Sequence, residues 1–218
     1  MLGLTLNDSR VHDGRSEKPV ALAMGAHSDD VEIGCGGTLA ALVAANWSIH
    51  LLVLSAVGDR GDEARRSAAE LLGPAASVVL HEIPDGRFPA FWGEVKEALE
   101  ETAARVEPDL VLAPRKGDAH QDHDAVGSIV MTVFRSSLIL HYEIPKWDGD
   151  LSRPNVYVPL EEHQLHRKVD LLKRHFVSQR RRAWFDDETF FGLARLRGME
   201  CRATYAEAFE CHKSLLII

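Results

Sequence analysis

Cysteine is scarce in this chain, which has only Cys35, Cys201 and Cys211 among its 218 residues. Their number is odd and no two of them form a CxxC pair, so the sequence has neither a disulfide framework nor a cysteine-based zinc knuckle. Because thiols stay reduced in the cytoplasm, this cysteine usage predicts a cytoplasmic protein.

Long apolar runs are also missing, since none approaches the roughly 18 residues that a membrane span requires. Residues 1–18 form a polar leader, with charges throughout and no apolar core of signal-peptide length. Acidic residues outnumber basic ones, and the net charge of −8 argues against bulk electrostatic binding to nucleic acid or anionic lipid. We therefore expect neither a membrane span nor a nucleic acid partner.

A glycine-rich phosphate loop is the third absence. The cluster "GCGG" at 34–37 precedes a helical pattern, but the dinucleotide fingerprint GxGxxG would require glycine where Leu39 stands. The acids Asp29 and Asp30, just before this cluster, would also repel a pyrophosphate. The stretch "AHSDDVEIG" at 26–34 therefore needs another explanation.

What the sequence does contain is an alternation of apolar runs and helical patterns. We predict strands at 20–25, 48–56, 77–83, 109–114, 138–144 and 156–160, and helices at 36–47, 62–73, 94–108, 122–137 and 161–182. Such alternation is typical of right-handed βαβ units, so the predicted fold class is α/β, a mostly parallel sheet flanked by helices. No internal repeat or low-complexity linker divides the chain, and we predict one domain over 1–218, with the region after 182 covering one end of the sheet.

Two clusters of polar residues follow predicted strands. "AHSDD" (26–30) comes after the first strand, and "HQDH" (120–123) comes after the fourth. Ligands of open α/β sheets bind outside the carboxyl ends of the strands, so both clusters lie where a site is expected. Two explanations of the first cluster stay open: Asp29 or Asp30 is a helix N-cap with Glu32 as a first-turn charge, or the cluster is half of a metal site.

A metal site explains both clusters together. Histidine nitrogen and aspartate oxygen suit a catalytic zinc, which takes three protein ligands and keeps one open position. His27 and Asp30 are three residues apart in a turn, and His123 from the second cluster would complete the triad. Asp29 would then lie beside the metal, where a general base takes a proton from water.

These motifs resemble those of the LmbE-like, or PIG-L-like, zinc-dependent N-deacetylases. The resemblance rests on "AHSDDVEIGCGGTL" (26–39) and "HQDH", and on the softer matches "SAAELLG" (67–73), "SQ" (178–179), "RLRG" (195–198) and "YAEAFE" (205–210). It covers about residues 19–212, with Ser28 where the family commonly has proline. It implies a Rossmann-like fold with zinc, or Fe²⁺ as the alternative, at the carboxyl ends of the strands.

The resemblance also implies roles for individual residues. His27, Asp30 and His123 match the family's metal ligands. Asp29 matches its general base. His120 matches a histidine that, in its protonated form, assists the oxyanion or the leaving amine. Asp122 matches an acid that orients this histidine. Arg60, with Arg65 as the fallback, and Asp85 match substrate-binding positions. In some relatives a tyrosine stands where this chain has Asp118.

The family's substrates are mostly N-acetylglucosamine derivatives, so the resemblance implies hydrolysis of the N-acetyl amide of a small acetylated amino sugar. Relatives often oligomerise, which makes a homo-oligomer one option. Two alternatives stay open: an amidase on a thiol–sugar conjugate or on another small amide or ester, and a non-catalytic sugar- or nucleotide-binding module. We also interpret Glu207 as structural, and five aromatic residues as candidates for a sugar-stacking wall: Trp147, Tyr157, Trp184, Phe185 and Phe191.

Overall fold

The computed structural model describes residues 18–73 and 76–215, so the polar leader predicted at 1–18 lies, apart from Lys18, outside the described residues. The helices and strands are, in chain order, β1 Val20–His27, α1 Asp30–Ala44, β2 Ser48–Ser55, α2 Asp59–Leu72, β3 Ser77–Leu80, α3 Trp92–Ala103, β4 Leu110–Pro114, α4 Gln121–Val133, β5 Leu138–Tyr142, β6 Val156–Leu160, α5 Glu162–His175, α6 Asp187–Cys201 and β7 Tyr205–Glu210. A short 3₁₀ helix, Val177–Gln179, follows α5.

All seven described strands form one sheet in the order β3-β2-β1-β4-β5-β7-β6. The first five are parallel, and β7 and β6 extend the sheet with antiparallel pairs. This confirms the predicted α/β class with a mostly parallel sheet. Strand order reverses between β1 and β4, and the carboxyl ends of these two neighbours carry "AHSDD" and "HQDH". The two clusters therefore meet at the switch point, where such sheets bind ligands.

Hydrophobic burial on both faces fixes the sheet between two layers of helices. Alternate residues of β1 point to opposite sides: Ala21 and Ala23 pack into the core beneath α1, α2 and α5, whereas Leu22 and Met24 pack into the core beneath α3 and α4. A central parallel strand is covered on both faces, which is why its sequence is continuously apolar rather than alternating. This rigid strand ends at His27.

Helix α1 begins at Asp30, six residues before the predicted start at 36. Its first turn, "DVEIG", is helical, and the backbone then leaves helical geometry at Cys35, with φ −147° and ψ 19°. Glycine has low helix propensity, so the cluster at 34–37 signalled a loop, whereas the structure uses it for a kink. At Gly34 an added Cβ would lie 2.2 Å from the Tyr142 ring, so only glycine allows this close packing.

The kink is held by a buried ion pair from distant parts of the chain. Glu207 on β7 accepts hydrogen bonds from the backbone N–H groups of Gly37 and Thr38, at 2.8 and 2.6 Å, which the kink leaves without helical partners. Lys168 on α5 donates to Glu207 at 2.7 Å and to the carbonyl of Ile33 at 2.6 Å. Glu207 therefore has the structural role that we predicted for it.

The C-terminal region differs most from the prediction. Helix α5 ends at His175 rather than at 182, and α6 and β7 had no counterpart among the predicted elements. This region extends the sheet at the β5 edge instead of covering its end. Within the described ranges, no helix has the length and apolar character needed to traverse a membrane.

Candidate metal centre and active site

The first motif places three polar side chains at the junction of β1 and α1. His27 is the last residue of β1, Asp29 occupies the N-cap position and Asp30 is the first residue of α1, and all three are buried. The Asp29 carboxylate makes no capping hydrogen bond. The Asp30 carboxylate accepts a hydrogen bond from the backbone N–H of His27 at 2.8 Å, which lies before the helix and is not a capping contact. The N-cap explanation therefore does not account for either acid.

The second motif begins helix α4. His120 is its N-cap, with Nδ1 accepting from the backbone N–H of Asp122 at 3.3 Å, and His123 follows in the first turn. His123 Nε2 lies 3.2 Å from His27 Nδ1 and 3.3 Å from Asp30 Oδ1, and His27 Nδ1 lies 3.5 Å from Asp30 Oδ2. The three predicted metal ligands thus face one point.

These three residues fit a divalent cation. Each offers one ligand atom within 4.8 Å of the others. The two buried imidazole nitrogens that face each other at 3.2 Å can both give a lone pair to a cation, and the aspartate supplies negative charge. Two nitrogens and one oxygen are a donor set that zinc binds in catalytic sites and that also suits Fe²⁺.

Asp122 has a different partner from the one we predicted. Its carboxylate accepts backbone N–H bonds from Gly86 at 2.6 Å and Phe88 at 3.0 Å, and lies 3.2 Å from His27 Nε2. It makes no hydrogen bond to the His120 ring, whose contact with this residue is through the backbone. From the first turn of α4 the Asp122 side chain reaches the 84–88 loop and His27, and its role in orienting His120 stays a prediction.

The predicted substrate-binding residues lie beside the cluster. Arg60, at the start of α2, donates to Asp29 Oδ1 at 3.0 Å and to Asp85 Oδ2 at 3.2 Å. Asp85 Oδ1 lies 3.1 Å from His27 Nε2, and its side chain is 55% exposed. Arg65, the fallback, is exposed and does not line the cavity described below, so the structure favours Arg60 at this place.

The electrostatic environment differs among these side chains. Burial and the neighbouring charge of Asp30 raise the pKa of Asp29, and the Arg60 guanidinium opposes this shift.

Burial lowers the pKa of His123, but the charges of Asp30 and Asp118 outweigh burial and raise the pKa to about 9. Burial and the charge of His123 lower the pKa of His120. These protein groups alone therefore favour the neutral form of His120, not the protonated form that we expected.

Glu32 lies in the first turn of α1, as the N-cap explanation expected, but it is not charged there. Its side chain is buried and accepts a hydrogen bond from Ser67 Oγ at 2.6 Å. Burial raises the pKa of Glu32 to about 8, so the carboxyl is mostly protonated at neutral pH. Glu32 therefore adds little negative charge behind the cluster.

The cluster opens into a cavity of about 300 Å³. Beyond the residues already described, its walls include Ile144, Lys146, Asp148, Gln179 and Arg182, together with two of the candidate stacking residues, Trp147 and Trp184. Trp147 is 69% exposed, which leaves its ring available at the mouth. Sequence reasoning missed Lys146, because nothing in the sequence near it indicates that the loop after β5 and the segment after α5 meet at this edge. Arg182 ends the basic run 166–182, which we interpreted as the polar face of a helix, with a patch that steers a phosphorylated or nucleotide-linked sugar as the alternative. Gln179 had a signal in the "SQ" motif.

A mostly parallel α/β sheet with a histidine–aspartate cluster at its switch point defines a Rossmann-like protein with a candidate metal-dependent active site. The family model for PIG-L, described as GlcNAc-PI de-N-acetylase, matches residues 22–134. A relative from Escherichia coli (strain K12), the uncharacterized deacetylase YaiS, is 31% identical over 182 residues, covering 77% of this chain and 96% of YaiS. The chain belongs to the PIG-L (LmbE-like) family, whose members include deacetylases.

Solved structures show how widely the fold is shared. N,N'-diacetylchitobiose deacetylase from Pyrococcus horikoshii aligns with a TM-score of 0.72 at 19% identity, over 94% of this chain and 87% of its own. GalB, the 4-carboxy-2-hydroxymuconate hydratase from Pseudomonas putida KT2440, aligns with a TM-score of 0.72 at 17% identity, over 92% of this chain and 98% of its own. Because a deacetylase and a hydratase share this fold, the fold alone does not decide the reaction.

Proposed function

We propose that this protein is a metal-dependent hydrolase that removes the N-acetyl group from an N-acetylglucosamine-type sugar conjugate. The observation that carries the proposal is the convergence of His27, Asp30 and His123 on one point, with Asp29 beside them and a cavity in front. Membership of the PIG-L family supports deacetylation as the reaction. We propose zinc as the metal, with Fe²⁺ as the alternative, because both accept this donor set.

In this proposal His27, Asp30 and His123 hold the metal. When bound, a divalent cation would supply Lewis acidity, which polarises the amide carbonyl and lowers the pKa of water. Asp29 accepts a proton from the attacking water, and its raised pKa suits a general base better than that of an exposed aspartate. The Arg60 guanidinium, 3.0 Å from Asp29 Oδ1, fixes the direction of that carboxylate.

His120 is proposed to stabilise the charge that develops on the substrate. Because its Nδ1 accepts from the backbone N–H of Asp122, the ring proton of the neutral form resides on Nε2. That N–H can donate to the oxyanion during attack. The C–N bond of the amide then breaks to give acetate and the free amine, which takes the proton that Asp29 accepted from water, while neutral His120 donates a hydrogen bond and keeps its proton.

The cavity walls support a sugar substrate. Trp147 and Trp184 offer apolar ring faces, and the polar groups of Arg60, Asp85 and Gln179 can bind hydroxyl groups. The GlcNAc-PI of the family description and the N,N'-diacetylchitobiose of the P. horikoshii enzyme both contain an N-acetylated amino sugar. Amide hydrolysis on a thiol–sugar conjugate would use the same site and differs only in the substrate.

Metal analysis and acetate release from the purified chain test this proposal. We expect about one zinc or iron ion per chain and release of acetate from N-acetylglucosamine or one of its conjugates. His123→Ala should lose both metal and activity, because it removes one of three ligands, whereas His163→Ala, at an exposed histidine, should keep both. Full metal content in His123→Ala after dialysis would contradict the ligand role, and a metal-free, inactive wild type would favour a binding module.

A further inference from the structure

Asp118 is buried beside the proposed metal-binding cluster of His27, Asp30 and His123 and lies next to one of its histidines, His123. Its Oδ1 accepts a hydrogen bond from the backbone N–H of His120 at 2.8 Å and lies 3.5 Å from Nδ1 of His123. Asp118 stands where some relatives have a tyrosine, and we predicted no role for it from the sequence. Its position next to His123 indicates one.

The His123 ring extends from the cluster to Asp118. Its Nε2 faces His27 and Asp30, and its Nδ1 is buried without a hydrogen-bond partner among the described residues. Across residues 18–73 and 76–215, Asp118 is the only carboxylate within 4.0 Å of that Nδ1. If Nδ1 keeps its proton and directs it toward Asp118, the lone pair of Nε2 faces the cluster, as a metal ligand requires.

Asp118 is itself held from two sides. Lys146 Nζ, from the loop after β5, lies 2.9 Å from Asp118 Oδ1 and 3.1 Å from Oδ2. Asp150 binds the same ammonium group at 2.9 Å and also pairs with Arg115 at 2.9 Å. Because Lys146 and the backbone N–H of His120 both bind Asp118, its carboxylate has little freedom to turn away from His123.

We propose that Asp118 is a positioning residue that holds the His123 imidazole in the tautomer and orientation in which Nε2 faces His27 and Asp30. The proposal rests on the proposed function only in that His123 binds the metal. Its direct consequence is tighter metal binding, which can be measured without any substrate.

Asp118→Asn tests the proposal, since the amide keeps the shape of the side chain and removes its charge. We expect the Kd for zinc, measured by competition with a chelator on the full chain, to rise by about 10- to 100-fold. Asp150→Asn is the matched control, because Asp150 binds the same lysine without touching His123. It should lower the unfolding midpoint by a similar amount while its zinc Kd changes by less than about threefold. An Asp118→Asn Kd within about twofold of wild type, or an equal loss in both variants, would overturn the proposal.

A second measurement uses the wild-type protein and does not depend on a variant that folds. In the zinc-loaded chain, ¹⁵N NMR of the histidine rings should find the His123 proton on Nδ1 and the metal on Nε2. The reverse arrangement overturns the proposal. Zinc affinity and tautomer can both be read even if the chain releases no acetate, so failure of the deacetylase proposal and failure of this one are distinguishable.

Discussion

His27 uses both of its ring nitrogens at the site. Nδ1 faces His123 and Asp30, while Nε2 lies within 3.2 Å of carboxylate oxygens of Asp85 and Asp122. Carboxylates at Nε2 favour a proton on that nitrogen, which leaves the lone pair of Nδ1 for the cluster. Burial lowers the pKa of His27, but the charge of Asp30 and the hydrogen bonds with Asp122 and Asp85 outweigh burial and raise the pKa well above its usual range. A cation in the cluster would therefore compete with a proton at this ring.

Asp29→Asn should separate catalysis from metal binding. The variant keeps all three proposed ligands, so its metal content should equal that of the wild type, while acetate release falls at least about 100-fold because the base is lost. Asp170→Asn, at an exposed aspartate of α5, is the control and should retain activity. Near-normal turnover by Asp29→Asn would show that another group takes the proton.

The spacing of the two motifs was sufficient to predict which residues meet, because both follow strands that are neighbours at the switch point. The partner of Asp122 was not predictable, since it depends on where the 84–88 loop presents the N–H groups of Gly86 and Phe88. Asp118 and Lys146 are 28 residues apart and form their contact only when two loops fold together. Contacts of this kind leave no local pattern in a sequence.

The start of helix α1 was also not predictable from the sequence, because it depends on contacts with distant parts of the chain. A period of 3.6 residues and three glycines predicted a start near 36, whereas tertiary contacts allow the first turn to form at Asp30. The N–H groups that the kink frees are bound by Glu207, which is 170 residues away from Gly37. The motif that carries Asp30 is therefore shaped by a strand at the other end of the described chain.

Glu207→Gln should destabilise the fold more than it changes the chemistry. It leaves the charge of Lys168 buried without its anionic partner, and breaking a buried pair in this way costs about 3–5 kcal/mol. Urea titration would measure the decrease in the free energy of unfolding. The double variant Glu207→Gln with Lys168→Met should recover part of it, because no unpaired charge remains. A single variant within about 1 kcal/mol of the wild type would contradict the importance of the pair.

At the scale of the whole molecule, the parallel half of the sheet was predictable and the antiparallel half was not. Alternating strand and helix patterns imply neighbouring parallel strands, and β1 to β5 follow that rule. Strand β7 instead pairs between β5 and β6, and no local pattern in "YAEAFE" specifies this long-range choice. All described strands share one sheet, which agrees with a single domain; the domain bounds at 1–218 stay a prediction.

The stability of the whole fold should depend on pH through His141. This buried ring, bonded to the carbonyl of Pro114, has its pKa lowered to about 4, chiefly by burial and also by the nearby His212 and Lys116. Because the folded pKa lies below the unfolded value of about 6.5, the stabilisation is complete above pH 6.5 and is lost as pH falls toward 4, by up to about 3 kcal/mol.

The variant His141→Gln isolates this contribution. Between pH 7 and pH 5, its free energy of unfolding should fall less steeply than that of the wild type, by up to about 1.4 kcal/mol per pH unit. Urea titrations at several pH values would give both slopes. Parallel slopes in the two proteins would show that His141 is protonated as easily in the folded chain as in the unfolded one.

The hydrogen bonds between Glu207 and the kinked helix α1 can form only late in synthesis on the ribosome. Chains grow at about 5–20 residues per second, so the 170 residues between Gly37 and Glu207 take roughly 10 to 35 seconds to appear. By the second half of that interval both histidine motifs have been translated, while the helix that carries Asp30 still lacks its anchor. A nascent chain therefore has all of its proposed metal-binding residues before it can hold them in place.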